Sequence, residues 1–334
     1  MTQPLLQVSN LRVEFNSSQG HVSAVRGLSY SINEGDSMAL VGESGSGKSV
    51  SALALIGLLP KKTSKITAGS VKFRGKELVG LSEKELRKIR GGSIAMIFQD
   101  PLSSLNPVLT IGQQITEQVR AHENLDKKQA LKRAVELLDL VGIPSAKVRV
   151  EQYPHQLSGG MRQRAMIAMA LSSKPSLLLA DEPTTALDVT IQAQILELLA
   201  NLQKELGMSL ILITHDLGVV AGFTENLTVM YAGNAVEQGR TGEVLANPQH
   251  PYTTGLLRSI PRLDRPRADE LHPIPGVAPD MSIIPAGCPF APRCESASDK
   301  CRAEKPALET VLPGRHVACW HPESTSSMNA SVTR

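Results

Sequence analysis

The sequence is poor in aromatic residues, in net charge and in long apolar runs, and each shortage excludes a class of function. Aromatic residues make up 3% of the 334 residues, which is too few for a platform that stacks single-stranded nucleic acid. The formal net charge of +3 is too small to indicate nucleic-acid binding by itself. No stretch reaches the roughly 18 apolar residues of a membrane-spanning helix. We therefore expect no nucleic-acid partner and no spanning helix.

The N-terminus also lacks the pattern of an export signal. Its first residues read Met-Thr-Gln-Pro-Leu-Leu, without the basic and then apolar order of a secretory leader. We expect the protein to stay in the cytosol, where it could still dock on a membrane protein.

Cysteine is absent from the first 287 residues, and the four cysteines are Cys288, Cys294, Cys301 and Cys319. Such crowding in a cytosolic chain indicates metal chemistry more than disulfides. The spacing Cys-x5-Cys-x6-Cys-x17-Cys is not the paired Cys-x2-Cys of common zinc sites. An iron–sulfur centre, a zinc ion and unligated or oxidised thiols all remain open, and His316 or His321 could replace a thiolate.

Strand and helix patterns alternate along most of the chain, which predicts an α/β fold. Hydrophobic residues are 41% and charged residues 20% of the sequence, which is ordinary for a soluble globular protein. The length allows one large domain and a smaller one. Because apolar strands such as 37–41 and 209–214 alternate with helices, we expect a mainly parallel sheet covered on both faces.

A glycine-rich loop follows the apolar strand at 37–41. Residues 42–49 read Gly-x-x-x-x-Gly-Lys-Ser, which is the phosphate-loop pattern. Its glycines let backbone N–H groups turn toward a nucleotide β-phosphate, and the helix that follows aims its positive end at the anion. We expect the lysine to reach the β- and γ-phosphates and the serine to ligate Mg²⁺. The candidate ligands are Gly42, Ser44, Gly45, Gly47, Lys48 and Ser49.

Polar residues at strand ends supply the other parts of an ATPase. Asp181 ends an apolar strand, as a second Mg²⁺ ligand should, and the adjacent Glu182 is a candidate general base for the attacking water. His215 closes the strand at 209–214 and could hold the γ-phosphate, because strand C-termini line ligand crevices. Gln99 likewise follows an apolar strand and is a candidate Mg²⁺ ligand. Phe15 is a candidate for stacking on adenine, with a plain core position as the alternative.

A second candidate anion site lies at residues 157–161, which read Leu-Ser-Gly-Gly-Met. Ser158, Gly159 and Gly160 at a helix start would expose backbone N–H groups. One chain hardly needs two such sites for one γ-phosphate, so we infer that this site serves a nucleotide held by another subunit. The alternative is an N-capped helix and nothing more. Asp188, shortly after the candidate base, is expected to report across a dimer interface.

Together these motifs resemble those of the ATP-binding subunit of an ABC transporter. The likeness runs from Phe15 to His215, and residues 157–161 are close to diagnostic. Within that family the chain is similar to the dipeptide and oligopeptide importer branch. The residues that carry this likeness are 96–107 (Met-Ile-Phe-Gln-Asp-Pro-Leu-Ser-Ser-Leu-Asn-Pro), 153–156 (Tyr-Pro-His-Gln) and 250–257 (His-Pro-Tyr-Thr-Thr-Gly-Leu-Leu).

The resemblance implies a P-loop NTPase core of the ABC ATPase type. We expect the nucleotide-binding domain at residues 1–246, with an inserted helical subdomain at about 101–172. Residues 247–322 would form a loop-rich C-terminal extension, and 323–334 a disordered tail. Some members of the branch have a similar cysteine set associated with a 4Fe–4S cluster, so the resemblance favours iron–sulfur over zinc.

The resemblance also implies an assembly. ATP and Mg²⁺ at Lys48, Ser49 and Asp181 would be capped by residues 158–160 of a second, related ATPase in a head-to-tail dimer. Closure of the dimer would drive two permease subunits, supplied by an extracytoplasmic solute-binding protein, at the cytoplasmic face of the cell membrane. The expected function is ATP hydrolysis that powers peptide uptake.

Two other functions remain open on the sequence. One is the ATPase of a related importer for nickel or another small solute, because the solute is chosen by subunits that this chain does not contain. The other is a soluble ABC ATPase that works on DNA or the ribosome. The short insertion and the single ATPase cassette disfavour that second reading, and a GTPase is disfavoured because no Asn-Lys-x-Asp motif occurs.

Overall fold

The computed structural model of the chain describes residues 3–17, 20–260 and 273–323. Residues 324–334, most of the expected disordered tail, lie outside this part of the chain. Among the helices in the described residues, none combines the length and the apolar character needed to cross a membrane.

Strands are spread along the whole described chain. They are β1 (Leu6–Ser17), β2 (Gly20–Ile32), β3 (Ser37–Val41), β4 (Ser64–Phe73), β5 (Lys76–Glu77), β6 (Ile94–Ile97), β7 (Leu177–Asp181), β8 (Ser209–Thr214), β9 (Asn226–Tyr231), β10 (Asn234–Arg240), β11 (Glu309–Leu312) and β12 (Arg315–Val317).

Helices concentrate between β6 and β8. They are α1 (Lys48–Leu55), α2 (Glu83–Ile89), α3 (Pro101–Ser104), α4 (Ile111–His122), α5 (Lys127–Leu140), α6 (Ala146–Arg149), α7 (Gly159–Leu171), α8 (Val189–Leu206), α9 (Leu217–Val220), α10 (Thr241–Ala246), α11 (Pro251–Arg258) and α12 (Asp299–Ala303), with short 3₁₀ turns at Pro154–Gln156 and Ala291–Arg293.

The chain divides into two compact units. The first comprises the described residues of 1–32, 37–79 and 214–334, and the second comprises residues 33–36 and 80–213. This division does not test the expected boundaries at 246 and 322, which stay predictions.

The first unit contains an antiparallel sheet with the strand order β2-β1-β4-β5. Residues two apart along its two long strands are buried, namely Leu11 and Val13 of β1 and Leu28, Tyr30 and Ile32 of β2. This period of two is what the sequence requires of a half-buried strand, because successive side chains point to opposite faces.

The first unit also contains the strand run β11-β12-β10-β9-β3. Here β3 and β9 are parallel, as expected, whereas β9–β10, β10–β12 and β11–β12 are antiparallel. The sequence reading did not anticipate these antiparallel pairs. Ala232 and Gly233, which join β9 to β10, both have positive φ angles of 46° and 76°, the backbone that a tight two-residue hairpin needs.

The second unit carries the parallel strands β6, β7 and β8 and most of the helices, which confirms the α/β prediction. The N-cap of helix α5 is Asp126, whose side chain accepts a hydrogen bond from the N–H of Gln129 in a capping box. Its buried face includes Ala134, Leu137 and Leu138, all fully buried. The apolar stripe and the capping residue together explain why this segment is helical.

Candidate functional site

The phosphate loop connects β3 to α1 in the first unit, and two of its glycines lie against backbone. A Cβ on Gly42 would lie 2.1 Å from the carbonyl oxygen of Met230, and one on Gly47 would lie 2.3 Å from that of Ala24. Gly47 also has a φ of 95°, which larger residues rarely adopt. Only glycine therefore fits at these two positions.

Lys48 opens α1 with its ammonium group folded into the loop. The side chain is 5% exposed, and Nζ donates to the carbonyl oxygens of Gly42 at 2.7 Å and Glu43 at 3.0 Å. Ser49, the next residue of the helix, is half-buried. The loop thus holds a buried cation at the start of a helix, where anions are favoured.

The second unit places the candidate general base in a hydrogen-bond network. Glu182 Oε2 accepts from Gln99 Nε2 at 2.7 Å and from Thr185 Oγ1 at 2.8 Å. Its own N–H donates to the carbonyl of Ile213 at 2.8 Å. The preceding Asp181, at the end of β7, is 5% exposed. The two carboxylates therefore follow one another at the end of a buried strand, as the sequence predicts.

Glu182 has a φ of 45°, in the left-handed region that residues other than glycine seldom occupy. Such backbone strain is held in place by surrounding structure and occurs preferentially at functional sites. The hydrogen bonds from Gln99 and Thr185 hold the side chain while the bond to Ile213 holds the backbone. Thr185 as a partner was missed by the sequence reading, although it directly follows the Asp-Glu-Pro-Thr segment.

The second candidate anion site lies at the N-terminus of α7. Ser158 is the N-cap of this helix, and its Oγ accepts from the N–H of Met161 at 3.3 Å. Gly159 and Gly160 form the first turn, and a Cβ on Gly160 would lie 2.9 Å from Cγ2 of Ile191. The prediction of a helix start is confirmed. An exposed serine at a helix N-terminus suits an anion. The N-cap hydrogen bond equally suits the alternative of an N-capped helix with no further role.

Three further predicted residues occupy defined positions. Asp188 is the exposed N-cap of α8 and accepts from the N–H of Ile191 at 3.0 Å. Phe15 is half-buried in β1, opposite Val22 of β2. His215 is exposed and directly follows β8. Their roles toward a nucleotide or a second subunit stay predictions.

The four cysteines are among the residues that line one pocket in the first unit. All four are free thiols, and Cys301 is buried. Burial raises the pKa of Cys288 and Cys294, and it raises the pKa of Cys319 to about 12. Without an electrophilic partner these three thiols therefore stay protonated, whereas a metal centre binds the thiolate.

Sequence similarity identifies the family. A protein named as a putative peptide import ATP-binding protein of Brucella melitensis is 52% identical over 319 residues, covering 92% of this chain and 94% of its own length. The oligopeptide transport ATP-binding protein OppD of Bacillus subtilis is 50% identical, covering 96% of this chain and 90% of its own length. The chain belongs to the ABC transporter family.

The family models divide this ABC transporter chain into two matched regions. The ABC transporter model matches residues 25–185, and the model of the oligopeptide/dipeptide transporter C-terminal region matches residues 236–301. The first covers the phosphate loop, residues 157–161 and Glu182, and the second covers three of the four cysteines. The expected family and its importer branch are thus confirmed.

A solved structure gives the same fold. The dimeric post-hydrolysis state of an ATP-binding cassette bound to ADP and Pi is 31% identical, with a TM-score of 0.63. It covers 71% of this chain and 98% of its own length. The expected ABC ATPase core is therefore confirmed.

The arrangement of side chains in this ABC transporter ATPase does not itself support the metal centre that the cysteine spacing predicts. Within residues 3–17, 20–260 and 273–323, no group of three or more His, Cys, Asp or Glu side chains could hold a metal ion. A zinc ion needs its ligands gathered at about 2.0–2.3 Å. An iron–sulfur cluster is held by four cysteine thiolates, and whether these four cysteines hold one stays a prediction.

Proposed function

We propose that this chain is the ATP-hydrolysing subunit of an importer for dipeptides or oligopeptides. The observation that carries the proposal is one chain holding both an ABC transporter cassette and an oligopeptide/dipeptide transporter C-terminal region. Relatives named for peptide import and for oligopeptide and dipeptide transport match it over more than nine-tenths of its length. No observation favours nickel or another small solute.

The first unit would bind the triphosphate. Lys48, buried in the loop, would exchange its carbonyl partners for phosphate oxygens, with backbone N–H groups of residues 44–49 around the β-phosphate. Ser49 would ligate Mg²⁺ together with Asp181 and Gln99. Bound Mg²⁺ would neutralise charge on the β- and γ-phosphates. Phe15 would stack on the adenine.

The second unit would supply the hydrolytic groups. Glu182 would accept a proton from the attacking water, and its bonds to Gln99 and Thr185 would orient the carboxylate before the nucleotide binds. His215 would hold the γ-phosphate. Proximity and charge stabilisation carry most of phosphoryl transfer, so the placement of these groups matters more than their intrinsic reactivity.

The remaining motif would act in an assembly. The Ser158–Gly160 segment would cap the ATP of a second ATPase subunit, which would cap this chain's ATP in return. Two permease subunits at the cytoplasmic face of the membrane would convert closure of the dimer into transport, and an extracytoplasmic binding protein would deliver the solute. Support comes from the exposed helix N-termini at Ser158 and Asp188 and from the likeness to a dimeric cassette.

The cysteines Cys288, Cys294, Cys301 and Cys319 would hold a 4Fe–4S cluster. Such a cluster would cross-link the 3₁₀ turn at Ala291–Arg293, α12 and the segment after β12, and so stabilise a region with little regular structure. Protein purified without oxygen should be brown and contain about four irons and four sulfides per chain. Colourless protein with one zinc per chain, or with no metal, would rule the cluster out.

Transport is tested with the complete importer. We expect the chain, purified with its co-encoded permeases and reconstituted in vesicles with the binding protein, to hydrolyse ATP faster when dipeptides or oligopeptides are added. Nickel and free amino acids serve as competing solutes. Stimulation by nickel alone would establish the alternative importer, and sedimentation of the chain with ribosomes rather than membranes would exclude transport.

A further inference from the structure

Glu43 places a carboxylate in the loop that binds phosphates. The phosphate-loop pattern leaves positions 43–46 free, so the chemistry of nucleotide binding does not require an acid there. A negative charge close to a triphosphate weakens binding, because like charges repel strongly where water is partly excluded. Strong binding of ATP beside Glu43 therefore requires a cation that neutralises the Glu43 carboxylate.

Arg293 provides this cation from a point 250 residues away in the sequence. Its Nη1 donates to Glu43 Oε2 at 2.7 Å and its Nη2 to Glu43 Oε1 at 3.0 Å. The side chains are 7% and 27% exposed. This two-pronged geometry in a shielded place is the strongest form of a carboxylate–guanidinium pair, unlike exposed ion pairs that contribute little.

Arg293 is itself held in one orientation. Its Nε donates to the carbonyl of Pro275 at 2.8 Å, and its Nη1 also approaches the hydroxyl of Tyr231 at 3.3 Å. The guanidinium lies 5.9 Å from the centre of the Tyr231 ring. With four of its five N–H donors in hydrogen bonds and its stem buried, the arginine holds its guanidinium in one orientation toward Glu43.

An aromatic cluster holds the backbone of the same loop residue. The Glu43 N–H donates to the hydroxyl of Tyr252 at 2.8 Å. The Tyr252 ring packs at 4.6 Å from Tyr231 and 5.4 Å from Phe290, measured between ring centres. Tyr252 and Phe290 lie in the C-terminal region, so this region fixes both the main chain and the side chain of Glu43.

The contact continues to the phosphate-binding lysine. The carbonyl oxygen of Glu43 accepts a hydrogen bond from Lys48 Nζ at 3.0 Å. A change in the position of Glu43 therefore moves one of the groups that place the lysine ammonium. Arg293 thus reaches Lys48 through a single intervening residue.

We propose that Arg293 is a positioning residue for ATP: by neutralising and orienting Glu43 it sets the affinity of the phosphate loop for the triphosphate. The C-terminal region is on this basis part of the ATP-binding apparatus. The inference rests on the proposed function only in requiring that ATP binds at Lys48. It also explains why the loop tolerates an acid at position 43.

The test is a double-mutant cycle in the ATP dissociation constant. The variants are Arg293→Gln, Glu43→Gln and the pair combined, each also assayed for KM, kcat and melting temperature without nucleotide. Arg302→Gln is the matched control, because Arg302 forms an ion pair with Asp299 in the same region, with both side chains largely exposed. Binding of ATP by the unmutated chain tests the proposed function separately.

We expect Arg293→Gln to weaken ATP binding about tenfold or more, because it leaves a shielded carboxylate unpaired. KM for ATP should rise in step while kcat changes little, since the hydrolytic groups lie elsewhere in the sequence. Glu43→Gln should change binding only slightly. The double variant should bind ATP within about threefold of Glu43→Gln, because the repelling charge has gone.

Two results overturn the inference. One is an ATP affinity of Arg293→Gln equal to that of the Arg302→Gln control. The other is a double variant that binds ATP as poorly as Arg293→Gln, since Arg293 would then act without Glu43. If Arg293→Gln does not fold, Arg293→Met takes its place in the cycle. Methionine keeps an unbranched apolar stem without the charge, and the absence of coupling to Glu43→Gln is again the contrary outcome.

Discussion

The side-chain amide of Gln99 donates a 2.7 Å hydrogen bond to the carboxylate of Glu182, although 83 residues separate the two. Gln99 follows β6 and Glu182 follows β7, and these strands are parallel neighbours. Their carboxyl ends therefore lie at the same edge of the sheet. The bond gives one carboxylate oxygen a fixed direction, which a base needs if it is to accept a proton from a positioned water.

Glu182→Gln should abolish ATP turnover while leaving ATP bound. The amide keeps the shape of the side chain but cannot accept the proton, so we expect kcat to fall by about 10²- to 10⁴-fold. Glu205→Gln makes the same chemical change at an exposed position of α8 and should leave turnover unaltered. Single-turnover hydrolysis and retention of labelled ATP measure the two effects. Unchanged turnover in Glu182→Gln would remove Glu182 from its proposed role.

Gly47→Ala should weaken ATP binding by tenfold or more. The new methyl group would lie 2.3 Å from the carbonyl oxygen of Ala24, so the loop must shift away from the conformation that receives phosphate. Gly207→Ala is the control, because Gly207 also has a positive φ, of 63°, but its Cβ would meet nothing within 4 Å. Equilibrium titration with a fluorescent ATP analogue compares them. Equal affinities in the two variants would contradict the role given to the close contact at Gly47.

Arg315→Met should destabilise the first unit by about 3–5 kcal/mol, because it leaves the carboxylate of Glu237 buried without its cation. Arg315 Nη2 lies 2.6 Å from Glu237 Oε1, and the two side chains are 3% and 0% exposed. The double variant with Glu237→Gln should regain part of the loss. Urea unfolding followed by the fluorescence of Trp320, the chain's one tryptophan, measures it. If the urea midpoint of Arg315→Met equals that of Arg302→Gln, the pair of Arg315 and Glu237 does not contribute to the stability of the protein.

His250 should make the protein less stable in acid. Burial lowers its pKa from 6.5 to about 3, so between these values the unfolded chain binds a proton that the folded chain does not. The contribution of His250 to the free energy of unfolding is therefore fully present above pH 6.5. It is lost as the pH drops toward 3, and about 2 kcal/mol is already lost at pH 5. The facing ionisable groups are Glu237, which accepts the His250 N–H at 3.1 Å, and the thiols of the cysteine pocket.

His250→Asn tests this pH dependence. Nδ1 of His250 accepts a hydrogen bond from the N–H of Tyr252 at 3.1 Å, and asparagine is a good N-cap that can keep it without titrating. We expect the stability difference between the variant and the unmodified chain to shrink from pH 7.5 to pH 5, in unfolding curves followed at Trp320. If the stability difference between the variant and the unmodified chain is the same at both pH values, groups other than His250 cause the acid sensitivity.

The local structure of the candidate nucleotide site could be predicted because each of its parts is a short local pattern. The phosphate loop, the helix start at Ser158 and the Asp181–Glu182 pair need only a few adjacent residues and a strand or helix beside them. The hydrogen bond between Gln99 and Glu182 was not predicted, because the sequence only places each residue after an apolar strand.

The links to the C-terminal region could not be predicted in that way. The pairing of Glu43 with Arg293 joins positions 250 residues apart, and no local pattern specifies which loop packs on which. The hairpin turn at Ala232 was likewise missed, since alanine is not a typical residue for a positive φ. The sequence does show an unusual acid, Glu43, inside the phosphate loop and an arginine, Arg293, between two cysteines. Neither residue indicates by itself which residue it contacts.

Because β10 is synthesised before β12, the growing chain contains β10 for a time without one of its partner strands. Strand β10 is synthesised long before β12, which pairs with it through Glu237 and Val317. Until residue 317 leaves the exit tunnel, one edge of β10 offers unpaired backbone groups, and Glu237 lacks the guanidinium of Arg315. Exposed strand edges recruit other chains. We therefore expect the newly made chain to be prone to aggregation between the synthesis of β10 and that of β12, when a chaperone that covers this edge would protect it.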